Sequence, residues 1–166
     1  VQGDAVLVNM MEAFGVKTTF NKSGLVLEKS DIPMPQHFSQ DFLRCPDLAQ
    51  SLAVVCGGLG VPASFTGLET LSIKETDRMM ALKTELARIG VEITPGGNDR
   101  MEIVGKADWK EIPEFQTYED HRMAMAFAPL AMQHTIRISE PAVVGKSYPG
   151  FWEDITSLGF GITDGE

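Results

Sequence analysis

The stretch "DRMMALKTELARIGVEITPGGNDRMEIVG" (77–105) decides the fold. Met79, Leu82, Leu86 and Ile89 recur at helical spacing and form one apolar stripe, with Asp77, Thr84, Glu85 and Arg88 largely off it. Gly90 stands where a helix C′ residue with positive φ belongs. A short strand, a Gly-rich turn and a second strand follow. The same order occurs in "AVLVNMMEAFGVKTTFNKSGLVLEK" (5–29), and a truncated copy is "YPGFWEDITSLGFGITDGE" (148–166). Gly15 and Gly159 take the place of Gly90.

A second pattern interleaves with the first. "CPDLAQSLAVVCGGLGVPASFTGL" (45–68) pairs with "YEDHRMAMAFAPLAMQHTIRISEP" (118–141). Each has an acidic start, a small-residue helix and then a strand. The interval from Asp47 to Lys74 nearly equals that from Asp120 to Lys146, as repetition requires. The helices 47–57 and 120–132 are apolar on most sides, which predicts burial, whereas the helix 77–89 has one apolar face. Buried helices with amphipathic helices and strands outside them imply an inside-out α/β arrangement. The unit reads strand–helix–strand–helix–strand–strand. About two units fill one domain over 1–166, roughly 1–75 and 76–146 plus a final helix. Only "SDIPMPQH" (30–37) has the composition of a loop of note.

Composition bounds the function. The 166 residues carry 14 Lys and Arg against 23 Asp and Glu, a net charge of −9. That balance argues against nucleic acid and anionic membranes as partners, but a local field still serves a small anionic ligand. No apolar run approaches the roughly 20 residues that span a bilayer. Cys45 and Cys56 suit neither a zinc knuckle nor a disulfide framework and read as reduced cytoplasmic thiols. No His, Cys and carboxylate cluster has zinc spacing. The nine Met residues read as core filler, and "GGLG" (57–60) lacks the context of a phosphate-binding loop. His37 and His134 have no constellation around them. The opening "VQGDAVLVNM" has neither an initiator Met nor a basic leader, so a fragment of a longer product is expected.

The scarce positive charge falls at helix starts. Lys74 and Arg78 flank the start of one helix, for which Thr76 is a candidate N-cap. His121 and Arg122 open a second. Lys146 precedes a third, with Pro149 near its first position. A cation at a helix N-terminus opposes the macrodipole. Cations and free N–H groups together make an anion site, so the three starts are expected to face one bound anion. On this reading Arg78 serves a ligand, and its removal leaves stability unchanged or slightly higher. The plain alternative is surface pairing, Arg78 with Asp77 or Glu75 and Arg122 with Glu119 or Asp120. Glu75 and Asp47 are the candidate acid–base groups.

The segments "KETDRMMALKTEL" (74–86), "DHRMAMAF" (120–127), "CPDLAQSLAV" (45–54) and "GKSYPGFWEDI" (145–155) resemble the 5-enolpyruvylshikimate-3-phosphate synthase family. The likeness covers nearly the whole chain but only the C-terminal part of the family's sequence. It implies an inverse α/β barrel of βαβαββ units and a missing N-terminal domain. It implies transfer of the enolpyruvyl group of phosphoenolpyruvate to the 5-hydroxyl of shikimate 3-phosphate, with release of phosphate and no metal or organic cofactor. By motif, Asp47 resembles the carboxylate near the 5-hydroxyl, and Glu75 the acid–base at the methylene carbon. Arg78, Arg122 and Lys146 resemble the clamp on the donor's phosphate and carboxylate. Lys74 resembles a contact to the shikimate phosphate, and His121 a neighbour of the clamp. Thr70-Leu71-Ser72 departs from an Asn-containing string in many relatives, and Thr70 is a partial replacement for that contact.

Two alternatives stand beside this. One is the sister enzyme acting on UDP-N-acetylglucosamine, which shares the fold and donor but typically lacks the Lys-Glu-Thr-Asp-Arg string. The other is a non-catalytic anion-binding domain of the same fold. As an isolated polypeptide, the chain is expected to be inactive.

Overall fold

A computed structural model describes residues 3–74 and 76–163. The first helix, α1 (Leu7–Glu12), leads through Gly15, at φ 80°, into an antiparallel hairpin of β1 (Val16–Asn21) and β2 (Gly24–Lys29). β3 (Phe38–Asp41), α2 (Leu48–Leu59) and β4 (Ala63–Thr66) form a parallel βαβ crossover. After a 3-10 turn at Leu71–Ile73 come α3 (Arg78–Ala87), β5 (Glu92–Pro95) and β6 (Arg100–Val104). Gly90, at φ 78°, ends α3 as the helix–Gly–strand pattern predicts.

These strands make one four-stranded sheet in the order β3-β4-β6-β5. Its register pairs Phe38 with Ala63, Ala63 and Ile93 with Ile103, and Phe65 with Met101. Paired residues share a face, and all of these are buried, so that side of the sheet is core. The outer residues Ser64, Arg100 and Glu102 are polar.

The second crossover is shorter. β7 (Glu114–Phe115) runs parallel to β8 (Arg137–Ile138), with α4 (His121–Phe127) and a 3-10 turn (Ala128–Met132) between them. A last 3-10 turn (Pro141–Lys146) precedes α5 (Phe151–Ser157). Pro149 thus lies before the N-cap of α5, Gly150, and outside the helix.

The expected burial of α2 and α4 is observed. Nine residues of α2 are buried, from Leu48 to Gly58, because the helix packs on the sheet and also on α3 and α4. α4 sends Met123, Ala126 and Phe127 into the main core, and Ala124 into a second cluster with Val144 and Phe151. A helix buried on two sides cannot show a single stripe. The α/β class therefore stands, with the described strands in three separate sheets of four, two and two.

The whole strand–helix–strand–helix–strand–strand unit lies at 38–104, within one sheet. α1-β1-β2 matches its second half and β7-α4-β8-α5 its first. β3 and β7 are four and two residues long, too short to show a strand period in the sequence.

Candidate functional site

The starts of α2, α3 and α4 lie together because α2 packs against both other helices. Asp47 stands at the N-cap of α2, yet its side chain caps nothing in that helix. Instead it receives cations from three segments. Arg78 Nη1 lies 2.7 Å from Oδ1, Lys74 Nζ 3.3 Å from Oδ1, and Arg122 Nη2 3.2 Å from Oδ2. Burial of the Asp47 carboxyl raises its pKa, but Arg122, Lys74 and Arg78 together outweigh that and hold it below 3.8.

Arg78 is not a surface cation. Only 2% of it is exposed, and its Nε donates to Asp120 Oδ2 at 2.7 Å. Asp120 is wholly buried and also accepts from the backbone N–H of Arg122 at 2.8 Å, capping α4. Arg78 thus joins the carboxylates of Asp47 and Asp120 in the interior of the fold, away from the surface. Asp77, not Thr76, caps α3, accepting from the Met80 N–H at 3.1 Å.

The remaining candidates fall around this centre. His121 follows Asp120, and its Nδ1 is buried without a hydrogen-bond partner. Lys146 donates to the carbonyl of Glu119 at 2.8 Å, one residue before Asp120, rather than to Asp47. Thr70 is exposed at the start of a 3-10 turn, and its hydroxyl caps nothing there. Glu75 lies outside the described residues. Among the described residues, no group of three His, Cys, Asp or Glu gathers to hold a metal. None of their helices is long and apolar enough to cross a membrane.

Sequence reasoning missed two partners. Glu85, placed off the apolar stripe, is fully buried and accepts from the hydroxyl of Tyr118 at 2.7 Å. Its position was the available signal, since it lies two helical turns from Arg78 on the same face. His37 and His134 are also not isolated: His37 Nε2 lies 2.9 Å from Ser64 Oγ, and His134 stacks on Trp109.

Fold and site together define an α/β protein whose helix starts bring Lys74, Arg78 and Arg122 onto a shared carboxylate. The fold matches solved EPSP synthases of Acinetobacter baumannii with TM-score 0.62: one structure at 21% identity covers 91% of this chain and 38% of that one, another at 20% covers 96% and 39%. The family model for EPSP synthase (3-phosphoshikimate 1-carboxyvinyltransferase) matches residues 1–155, and the chain belongs to this family. It is 44% identical to the 3-phosphoshikimate 1-carboxyvinyltransferase of Bacteroides fragilis, over 99% of this chain and 40% of the relative. It is 31% identical to that of Cellvibrio japonicus, over 92% and 36%. The chain thus spans about two fifths of the length of its curated relatives.

Proposed function

We propose that this chain is the donor-binding part of an enzyme that moves the enolpyruvyl group of phosphoenolpyruvate to the 5-hydroxyl of shikimate 3-phosphate. The observation that carries this reading is the convergence of Lys74, Arg78 and Arg122 on Asp47, in a chain of the EPSP synthase family. Among the described charged groups of that cluster, three cations face two carboxylates, Asp47 and Asp120. Lys74, Arg78 and Arg122 are three of the 14 Lys and Arg in a chain of net charge −9, so positive charge is concentrated here. Phosphoenolpyruvate is a compact polyanion, and such charge both binds and orients it.

Arg122, about a quarter exposed, meets the donor's phosphate and carboxylate with Lys146 at the edge, and Arg78, buried between Asp47 and Asp120, adds its charge to the clamp from behind. Their pairing with Asp47 and Asp120 sets their geometry before the ligand arrives, which reduces the ordering cost of binding. Lys74 contacts the shikimate phosphate, Thr70 is a further acceptor contact, and His121 borders the clamp. The 5-hydroxyl oxygen bonds to C2 of the donor while Glu75 delivers a proton to C3. Removal of a C3 proton then expels phosphate from the tetrahedral intermediate. Asp47, ionised at rest because of its lowered pKa, takes the 5-hydroxyl proton as that oxygen bonds to C2 and passes it to the departing phosphate. The clamp offsets charge growing on the departing phosphate. The buried Cys56 thiol fits a cytoplasmic setting, where thiols stay reduced.

The test is phosphate release from phosphoenolpyruvate by the whole protein, with shikimate 3-phosphate as acceptor and UDP-N-acetylglucosamine as comparison. Release with the first acceptor alone is expected. Release with the second alone, or with neither, overturns the reading.

A further inference from the structure

Glu85 sits in α3 with no exposure to solvent, and both of its oxygens are engaged. Oε1 accepts from the Tyr118 hydroxyl at 2.7 Å. Oε2 accepts from Arg88 Nε at 2.7 Å and from the Gln116 N–H at 3.0 Å. Two of these three donors belong to residues 116–120, which join β7 to α4. That segment is strained, because Tyr118 and Glu119 have φ of 55° and 57°. The left-handed region crowds a residue with a Cβ and persists only where the surroundings impose it. Here Glu85 holds one side of the segment. Ser139 Oγ accepts from the Thr117 N–H at 3.3 Å on the other, and Lys146 holds the Glu119 carbonyl.

The consequence lies one residue on. After the left-handed pair the chain extends at Asp120, with φ −105° and ψ 113°. That turn carries Asp120 onto Arg78, and Arg122 toward Asp47. Arg78 and Glu85 lie on one face of α3, two turns apart. The helix therefore grips the segment twice, through Arg78 on Asp120 and through Glu85 on Tyr118.

We propose that Glu85 and Tyr118 are positioning residues for the donor clamp. They hold the left-handed Tyr118-Glu119 pair, and through it set where Asp120, Arg78 and Arg122 stand. This rests on the donor-binding reading above. Neither side chain need touch substrate. If the network served stability alone, its loss would lower the melting temperature and leave donor affinity alone in protein that is still folded.

The whole protein is compared with its Tyr118→Phe variant at a temperature where both are folded. Phosphoenolpyruvate and shikimate 3-phosphate are titrated separately, and amide exchange is followed across 116–124. Losing a hydrogen bond to a buried carboxylate is expected to raise the phosphoenolpyruvate dissociation constant about tenfold. The shikimate 3-phosphate constant should stay within about twofold, and exchange at 120–124 should quicken. A donor constant that stays put, equal weakening of both substrates, or unchanged exchange overturns the proposal. If Tyr118→Phe does not fold, Glu85→Gln takes its place with the same readouts, since its amide still accepts from Tyr118 while opposing the Gln116 N–H. If wild type binds no phosphoenolpyruvate and releases no phosphate, the functional reading fails, and exchange alone decides the positioning role.

Discussion

Arg78 Nε and Asp120 Oδ2 meet at 2.7 Å where both side chains are shut off from solvent. The pair joins the first residue of α3 to the residue that caps α4. A cation at a helix start is unfavourable to the helix alone. Here it neutralises a carboxylate with no access to water, and that larger requirement wins.

Arg78→Gln is therefore expected to destabilise the protein. Breaking a buried pair from one side costs about 3–5 kcal/mol, because the other charge stays buried. For a domain of this size, that corresponds to a fall in melting temperature on the order of 10 °C. Replacing both partners, Arg78→Leu with Asp120→Asn, should recover part of the loss. A melting curve for each variant checks this. An unchanged melting temperature in Arg78→Gln would show that Asp120 finds another partner.

Acid should weaken the Asp47 cluster. The carboxyl is held below 3.8 when folded by Arg122, Lys74 and Arg78, against the opposing effect of burial. A carboxylate with a depressed folded pKa adds stability above its unfolded pKa and loses it as pH falls through the folded one. Wild type should thus exceed Asp47→Asn in stability at neutral pH, and the gap should shrink below about pH 4. Urea titrations of both proteins at neutral and acid pH measure that gap. A gap independent of pH would remove the ion pairs as its source.

Much of this was legible in the sequence, and the part that was not has a physical cause. Gly15 and Gly90 marked helix ends because only glycine takes positive φ there cheaply. The small apolar residues of α2 and α4 marked burial. Lys74, Arg78, Arg122 and Asp47 stood out because the repeat put them at equivalent helix starts. Which of these groups would pair did not. Asp120 reaches Arg78 across 42 residues of chain and Glu85 reaches Tyr118 across 33, and spacing along one helix reveals neither. Two non-glycine residues in the left-handed region, Tyr118 and Glu119, carry no compositional mark either.

The chain alone is expected to bind phosphoenolpyruvate weakly and not to turn over. It spans about 40% of its Bacteroides relative, so much of the binding energy and any closure over the substrates lies elsewhere. Calorimetric titration of the 166 residues and a phosphate-release assay address the two halves of this statement. Multiple turnovers by the chain alone would refute the second.

Glu75 tests the chemistry apart from the clamp. If it exchanges a proton with C3 of the donor, Glu75→Gln in the whole protein removes the proton and keeps the size and polarity of the side chain. The expected fall in kcat is then about 10²–10⁴-fold, the scale of a lost general acid–base. KM for phosphoenolpyruvate should change far less, because Arg78 and Arg122 remain in place. A clamp variant such as Arg122→Gln should behave in the opposite sense, raising the donor's dissociation constant about 10–150-fold for one lost charged hydrogen bond. The two variants are separated by measuring kcat and donor affinity on each. If Glu75→Gln instead weakens the donor and leaves kcat within a few-fold of wild type, Glu75 belongs with the binding groups and the proton must come from another residue.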